Sequence, residues 1–355
     1  MPSSSSSSSS CPIPASVLAR YAAFAAARVR PFGAGLINQT FLVESPQGAR
    51  AVFQRQHPSF SSAVNTDLEA VTEHLVAKGM TTPRLLRTTD DARFVEDSDG
   101  RIWRALTFVQ GECGDRLTCA AQAREAGALV ARFHAALSDF SLSFVHVREG
   151  VHDMARHLAT LQRALEAHPH HRLHAAVSRI SESLFEAAPS LPDFSAAPLR
   201  VCHGDLKISN LMFRDGAGHC LIDLDTVGLQ RWPFEMGDAL RSWCNGAGED
   251  VSEAMLSVEL FEAAVAGYDE ANPRFPTSEE WALLVEGLAT ICLELTSRFL
   301  ADALNEAYFG FDSTRFPARG EHNLLRGQGQ WALFRDVRNK RGELEALVRR
   351  HTRKV

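Results

Sequence analysis

Val201-Cys202-His203-Gly204-Asp205-Leu206-Lys207-Ile208-Ser209-Asn210-Leu211-Met212-Phe213-Arg214-Asp215-Gly216-Ala217-Gly218-His219-Cys220-Leu221-Ile222-Asp223-Leu224-Asp225-Thr226-Val227 lies in the only β-like region, 199–227, of a C-terminal part that otherwise reads as helix. His203-Gly204-Asp205 is followed five positions later by Asn210. Asp223 comes thirteen positions after that, at the end of the apolar run Cys220-Leu221-Ile222. Between them, Asp215-Gly216-Ala217-Gly218 reads as a hairpin turn.

The order H-x-D-x-x-x-x-N on a loop, then a hairpin that delivers a second Asp, is the arrangement of phosphoryl-transfer catalysis. An acceptor hydroxyl must be aligned and relieved of its proton, which assigns a base role to Asp205. A triphosphate must be neutralised by Mg²⁺, a hard cation that takes oxygen ligands, and Asn210 and Asp223 supply them. Lys207, two positions after the base, meets charge on the transferring group. His203 reads as a structural residue that holds the loop by hydrogen bonds. Asp225 is either a further metal or substrate contact or an ordinary turn cap. The cofactors expected are therefore ATP and Mg²⁺, and the partner is a small hydroxylated substrate.

Upstream, residues 14–28 read as a short helix ended by Pro31. Phe32-Gly33-Ala34-Gly35-Leu36-Ile37-Asn38-Gln39-Thr40-Phe41-Leu42-Val43 reads as strand, turn, strand, and Ala51-Val52-Phe53-Gln54-Arg55 as the next strand. A helix follows over 61–78, with Val64, Leu68, Val71 and Leu75 on one face, and then strands near 92–96 and 102–109. Gly33 and Gly35 let backbone N–H groups approach phosphates without an intervening Cβ. With Asn38, Thr40, Arg55 and Val109 they make up the candidate nucleotide contacts. Arg55 stands where a phosphate-pairing cation is wanted, and Glu69 or Glu73 is its candidate partner. Adenine is expected under Phe108-Val109-Gln110.

From Gly111 the character changes. Helices fit 120–139, 152–167, 172–187, 253–271, 277–306 and 328–350. The expected class is α+β with two lobes: a Ser-rich disordered leader (1–13), a small β-rich nucleotide-binding lobe (14–110) and a larger helical catalytic and substrate-binding lobe (111–355).

Composition narrows the function classes. Apolar residues make up 45% and charged residues 23% of 355, an ordinary globular balance. With 37 Lys and Arg against 43 Asp and Glu, the net charge of −6 gives no bulk attraction to nucleic acid or anionic lipid. The seven cysteines are odd in number and lack C-x-x-C spacing, which suggests buried reduced thiols rather than disulfides or zinc. No apolar run reaches the roughly 18–20 residues of a membrane span, and the N-terminus lacks a secretory pattern. A cytoplasmic monomer or homodimer is expected.

His203-Gly204-Asp205-Leu206-Lys207 with Ile222-Asp223-Leu224-Asp225-Thr226-Val227 resembles the aminoglycoside phosphotransferase-type kinases. Gly35 to Val43, Val52 to Arg55, Val71 to Leu75, Arg298 to Asp302 and His322 to Gln330 resemble, more narrowly, the N-acetylhexosamine 1-kinase group. The resemblance spans roughly residues 30 to 335. It implies a protein-kinase-like fold and transfer of the γ-phosphate of ATP to a hydroxyl, in that group the anomeric hydroxyl of an N-acetylated hexosamine. Asp225 and Arg298 match positions where that group engages the sugar. Two departures flank the acceptor site: the base motif is His-Gly-Asp-Leu-Lys where that group has His-Asn-Asp-Thr-Lys, and Gly228 to Pro233 differs from its Met-Pro-Gly run. The other acceptors consistent with the motifs are an aminoglycoside, choline or an amino-acid alcohol. A cationic acceptor needs an acidic pocket, for which Glu235, Asp238, Glu249, Asp250 and Glu294 are the candidates. A nucleotide-binding regulatory protein without catalysis is the reading from another class. Gly237-Asp238 is expected to open a helix, with Asp238 capping it and bracing the catalytic loop.

Overall fold

The computed structural model describes residues 11–33, 38–272 and 275–352. Its chain divides into two compact units, Met1–Glu73 with Pro83–Val109 and His74–Thr82 with Gln110–Val355.

The first unit holds α1 (Ala15–Ala19), β1 (Arg28–Pro31), β2 (Gln39–Glu44), β3 (Arg50–Arg55), α2 (Val64–Ala77) up to Glu73, β4 (Leu85–Leu86), β5 (Val95–Glu96) and β6 (Ile102–Thr107). Its antiparallel sheet runs β1-β2-β3-β6-β4, with β5 also on β6. Side chains on a strand alternate between faces. The register Phe41↔Phe53↔Ala105 therefore puts Phe41, Val43, Ala51, Phe53, Trp103 and Ala105 on one face. There they bury against Val17, Leu18, Tyr21 and Phe24, with the Tyr21 and Phe53 rings edge-on at 5.0 Å. The opposite face carries Arg104, which is buried. Its guanidinium donates to Gln54 Oε1 at 2.7 Å and to Asn65 Oδ1 of α2 at 3.3 Å, so the charge is met by amide oxygens. The helix expected over 14–28 is only the short α1. Arg28–Pro31 instead pairs with β2, because the edge of the sheet offers the backbone a ladder that the local Ala/Arg composition does not announce.

The second unit comprises β7 (Glu112–Cys113), α3 (Ala120–Ala136), α4 (Met154–Ala167), α5 (His174–Ala187), β8 (Leu199–Cys202), β9 (Leu211–Arg214), β10 (Ala217–Leu221), β11 (Gly228–Arg231), α6 (Trp232–Trp243), α7 (Val258–Ala271), α8 (Ser278–Ala282), α9 (Leu284–Asn305) and α10 (Arg319–Thr352). Helix α9 is buried along nearly its whole length. Two helix crossings are closed by glycines. A Cβ at Gly267 of α7 would stand 2.0 Å from the Arg124 carbonyl of α3, and one at Gly287 of α9 would stand 2.2 Å from the Pro233 carbonyl of α6. The single helix expected over 277–306 is broken at Leu283, with Thr277 and Glu280 forming a capping box ahead of α8. Among the described residues no helix is long and apolar enough to cross a membrane.

The strands of this unit carry the site. β9 and β10 form the hairpin expected from Asp215-Gly216, both with positive φ at the turn (52° and 81°). β8 pairs with β11, beyond the stretch that reads as β in the sequence, and so brings Gln230 back beside the start of the catalytic loop.

Candidate active site

β8 ends at Cys202 and releases the loop His203–Lys207. Gly204 takes φ +80°, and a Cβ there would meet the Thr226 carbonyl at 2.4 Å and Gln230 Nε2 at 2.5 Å. Only glycine fits. Behind the loop, α6 presents Glu235. Its two carboxylate oxygens accept the backbone N–H groups of His203 (2.7 Å) and Gly204 (2.9 Å). Burial pushes the Glu235 carboxyl up, but His134 at 3.5 Å, His203 and the Gly204 N–H outweigh that, so it is held below its usual range and stays ionised. From the last turn of α6, Ser242 Oγ accepts the Ile208 N–H at 3.0 Å and Trp243 Nε1 donates to the Leu206 carbonyl at 2.8 Å. On the hairpin side, Thr226 Oγ1 donates to the His203 carbonyl (2.8 Å) and His203 Nε2 donates to the Ile222 carbonyl (2.9 Å).

Clamped on both sides, the loop brings Asp205, Lys207 and Asn210 together. Lys207 Nζ donates to Asp205 Oδ2 at 2.6 Å. Asn210 Nδ2 donates to the same oxygen at 3.0 Å and to the Asp205 carbonyl at 2.9 Å, which turns its amide oxygen away from Asp205. Burial raises the Asp205 carboxyl, but Lys207 more than offsets it and the acid is held below the usual carboxylate range. Lys207 is raised in turn: burial lowers it, and Asp205 and Asp223 overcome that.

Asp223 follows the hairpin. The Ile222 N–H donates to the Asn210 carbonyl at 3.0 Å, which ties the two strand ends together. Asp223 itself is left-handed (φ 63°, ψ 53°), a conformation that a non-glycine residue holds at a cost of order 1 kcal/mol or more and that concentrates at functional sites. Burial first, then the carboxylates of Asp225 and Asp205, push its carboxyl up to about 6. Asp225 is buried in the 3₁₀ turn just past it. Carboxylate and amide oxygens gathered where carboxylates repel one another suit a hard divalent cation. Asn210 and Asp223 are the residues able to hold it.

Arg298 stands apart from this cluster. It lies on α9, 3.4 Å from Glu294 Oε1 and with its guanidinium 5.5 Å from the Phe309 ring centroid, in the wall of a cavity of about 410 Å³. Asp238 does not open a helix: α6 begins at Trp232, with Pro233 in its first turn, and Asp238 sits inside it, bonded to Arg241 at 2.8 Å. Proline's fixed φ suits a helix start, which is why the helix begins upstream of the expected cap.

In the first unit, Gly33 has φ +77° and open space where a Cβ would point. Gly35 lies outside the described residues. Asn38 is buried, its Oδ1 accepting the His57 N–H at 2.9 Å. Thr40 Oγ1 accepts from Gln54 at 3.4 Å. Arg55 ends β3 opposite Gln39 and Trp103, and Val109 is the unit's last residue. Glu69 is occupied by Arg87 and Arg93, each at 2.7 Å, and Glu73 is exposed.

The carboxylates proposed for an acidic pocket all turn inward or pair with cations. Glu235 holds the loop. Asp238 and Glu249 both bind Arg241, each at 2.8 Å. Asp250 takes His322, Arg315 and Arg326, and Glu294 takes His152, His157 and Arg298.

Residues 28–273 match the model of a phosphotransferase enzyme family. The chain belongs to that family. The phosphotransferase is 25% identical over 283 residues to a homoserine kinase of Hyphomonas neptunium (strain ATCC 15444), covering 77% of this chain and 79% of that protein. Among solved structures it is similar to amicoumacin kinase hAmiN in complex with AMP-PNP, Ca²⁺ and Ami (TM-score 0.60, 14% identity, 86% and 87% of the two chains). It is likewise similar to an aminoglycoside phosphotransferase from Alicyclobacillus acidocaldarius subsp. acidocaldarius DSM 446 (TM-score 0.60, 18% identity, 99% of each). The fold is protein-kinase-like and the enzyme is a small-molecule kinase.

Sequence reasoning located the loop and hairpin but gave the bracing of the loop to Asp238, which pairs with Arg241, and placed Glu235 in an acidic pocket. Glu235 and Trp243 lie some thirty to forty positions beyond the residues they hold. Their only signal in the sequence is a buried-looking helix directly after the hairpin.

Proposed function

We propose that this phosphotransferase moves the γ-phosphate of Mg·ATP to a hydroxyl of a small acceptor that lies against Asp205. The observation that carries the reading is the convergence of Asp205, Lys207, Asn210 and Asp223 on one loop and hairpin. Asp205 is ionised at neutral pH and accepts the acceptor's hydroxyl. A carboxylate held below its usual range is a weaker proton sink than an unperturbed one. Its main task is therefore to aim the oxygen, with the proton arriving late, as suits a loose transition state. Lys207, drawn to Asp205 at 2.6 Å, is the cation available to meet charge on the transferring group. Bound at Asn210 and Asp223, Mg²⁺ would neutralise the triphosphate. Gly33, Gly35, Asn38, Thr40, Arg55 and Val109 remain the first unit's candidates for contact with the nucleotide.

Asp225 and Arg298 support a sugar or N-acetylated amino sugar as acceptor, through their match to the hexosamine kinases. The homoserine kinase among the relatives favours a second reading, a hydroxy amino acid. ADP release from Mg·ATP across sugars, amino sugars, hydroxy amino acids and aminoglycosides tests the proposal. Turnover of one class is expected. Replacing Asp205 with Asn should lower kcat by about 10²- to 10⁴-fold while titration still shows nucleotide binding. Binding of ATP with no turnover of any acceptor would favour the non-catalytic nucleotide-binding reading.

A further inference from the structure

The cavity beside Arg298 is formed by one unit alone: the segment 148–151, Arg156, His157 and Thr160 of α4, and Arg298, Ala301, Asp302 and Asn305 of α9, closed by Tyr308 and Phe309. Its charges are not balanced. Asp302 is saturated, accepting the backbone N–H groups of Ala307, Tyr308 and Phe309 and the Asn323 amide at 2.8–2.9 Å. Glu294, behind Arg298, is shared among His152 (3.0 Å), Arg298 (3.4 Å) and His157 (3.6 Å). Arg298 thus has only a share of one carboxylate. Arg148 has less: one of its terminal nitrogens is buried and has no hydrogen-bond partner among the described residues. A buried guanidinium donor without an acceptor is costly, and a planar oxyanion is its natural complement.

The cavity wall is linked to the catalytic loop through the residues behind it. Burial and the neighbouring Arg298 depress Arg148, and the charges of Tyr308, Asp205 and Asp238 oppose them. A hydrogen-bonded path runs from Glu294 through His152 to Gln230 Oε1 (3.0 Å on each side), and the Gln230 amide abuts Gly204, next to Asp205.

We infer that Arg148 and Arg298 form an oxyanion subsite for the acceptor, so that the phosphorylated molecule carries a carboxylate or phosphate as well as its hydroxyl. The inference rests on the kinase reading above and names its substrate class. Val151, Ala301 and the rings of Tyr308 and Phe309 hold the carbon skeleton, and the guanidinium groups hold the anion while the hydroxyl extends toward Asp205. Polycationic acceptors are disfavoured, because Asp302 and Glu294 are already engaged and Arg148, Arg156 and Arg298 outnumber the remaining Glu149 in the wall.

The test is ADP release by the full chain with homoserine, gluconate, a hexose monophosphate, N-acetylglucosamine and an aminoglycoside. The expected result is turnover of at least one of the three acceptors that carry an oxyanion (the zwitterion homoserine, gluconate and the hexose monophosphate), with the arms separating carboxylate from phosphate. Arg148→Met and Arg298→Met should each raise the KM for that acceptor by about 10- to 100-fold, with a much smaller change in the KM for ATP. Arg148→Lys should recover part of the loss. Its thermal unfolding, measured alongside, keeps a folding defect distinct from a binding defect. Turnover confined to N-acetylglucosamine or the aminoglycoside, or no turnover of any oxyanion-bearing acceptor by a protein that binds Mg·ATP, overturns the subsite. So does an unchanged acceptor KM in both Met variants. A wild-type protein that binds no Mg·ATP would instead count against the kinase reading itself.

Discussion

Replacing Glu235 with Gln should disable the catalytic loop without touching any reacting group. The Glu235 side chain is 1% exposed, and its two oxygens serve two donors, the N–H groups of His203 and Gly204. Glutamine offers one oxygen and one NH₂ in the same volume. Whichever way the amide turns, one backbone N–H then faces a donor. A buried donor stripped of a charge-assisted bond costs about 1–3 kcal/mol. Two outlets exist for that cost: global stability, or a shift of the loop. Gly204 cannot give way sideways, since the Thr226 carbonyl and Gln230 already crowd it, so displacement would pass forward into Asp205. A misplacement of about 1 Å is worth up to roughly 10²-fold in rate. The expected outcome is a kcat lower by about 10- to 100-fold in an ADP-release assay, a nearly unchanged affinity for Mg·ATP by titration, and an unfolding midpoint lower by a few degrees. A variant with wild-type kcat and midpoint would refute the reasoning. It would mean that Ser242, Trp243 and Thr226 suffice to hold the loop.

Asp223→Asn should abolish the advantage that Mg²⁺ gives to nucleotide binding, measured as the ratio of ATP affinities with and without the ion; an unchanged ratio would remove Asp223 from the metal. Because a carboxyl must lose its proton to bind a cation, wild-type affinity for Mg·ATP should weaken as the pH falls through about 6, the value to which Asp223 is pushed. The buried pair of His152 and Glu294 gives a stability window. Burial lowers His152, but Glu294 and Gln230 raise it further, so its contribution is full below the unfolded value of about 6.5 and fades as the pH rises past the folded one. Glu294 is depressed despite burial, chiefly by His152, so its contribution is lost as the pH falls through the acid range. His152→Asn should therefore remove the fall in the unfolding midpoint as the pH rises above about 6.5, and an undiminished slope there would contradict the pairing. Gly267→Ala pits two effects against each other. Alanine is the better helix former by about 1 kcal/mol. Its Cβ, however, would stand 2.0 Å from the Arg124 carbonyl, and overpacking costs about 1–3 kcal/mol or more. Destabilisation should win in chemical denaturation, and a stabilised variant would mean that α3 and α7 separate freely.

How much the sequence discloses follows the range of the interactions involved. The hairpin, with Asp215 and Gly216 at its turn, is a local decision, and the β2, β3 and β6 alternation is nearly so. Each reads directly from residue order. β1 does not: Arg28–Pro31 has one half-buried apolar side chain, Val29, and only its ladder to β2 makes it a strand. Helix α10 begins at Arg319 rather than near 328, because Gly320 and Gly327 pack closely against Ala303 and Leu300 of α9 where propensity alone predicts interruption. The reacting residues Asp205, Asn210 and Asp223 sit within nineteen positions and are legible. Arg148 lies more than fifty positions upstream of Asp205, in a segment with no periodicity, and only the folded cavity distinguishes it.

The same limit governs the acceptor. Five acidic residues near the catalytic motifs look, as letters, like a receptor for a cation, and a cationic acceptor would follow if they faced a cleft. Whether a carboxylate serves the ligand or the fold depends on its partners, and every one of these has an internal partner: backbone N–H groups for Glu235, Arg241 for Asp238 and Glu249, a His and two Arg for Asp250, and two His and an Arg for Glu294. Once those pairings are subtracted, the buried polar group left without a partner in the cavity wall is a guanidinium nitrogen of Arg148. Freeing a carboxylate should then move specificity toward amines. Arg298→Met releases part of Glu294 as it removes a cation, so it should improve a cationic acceptor relative to an anionic one in the ratio of their kcat/KM values. A ratio that does not move would mean that the two histidines alone keep Glu294 neutralised.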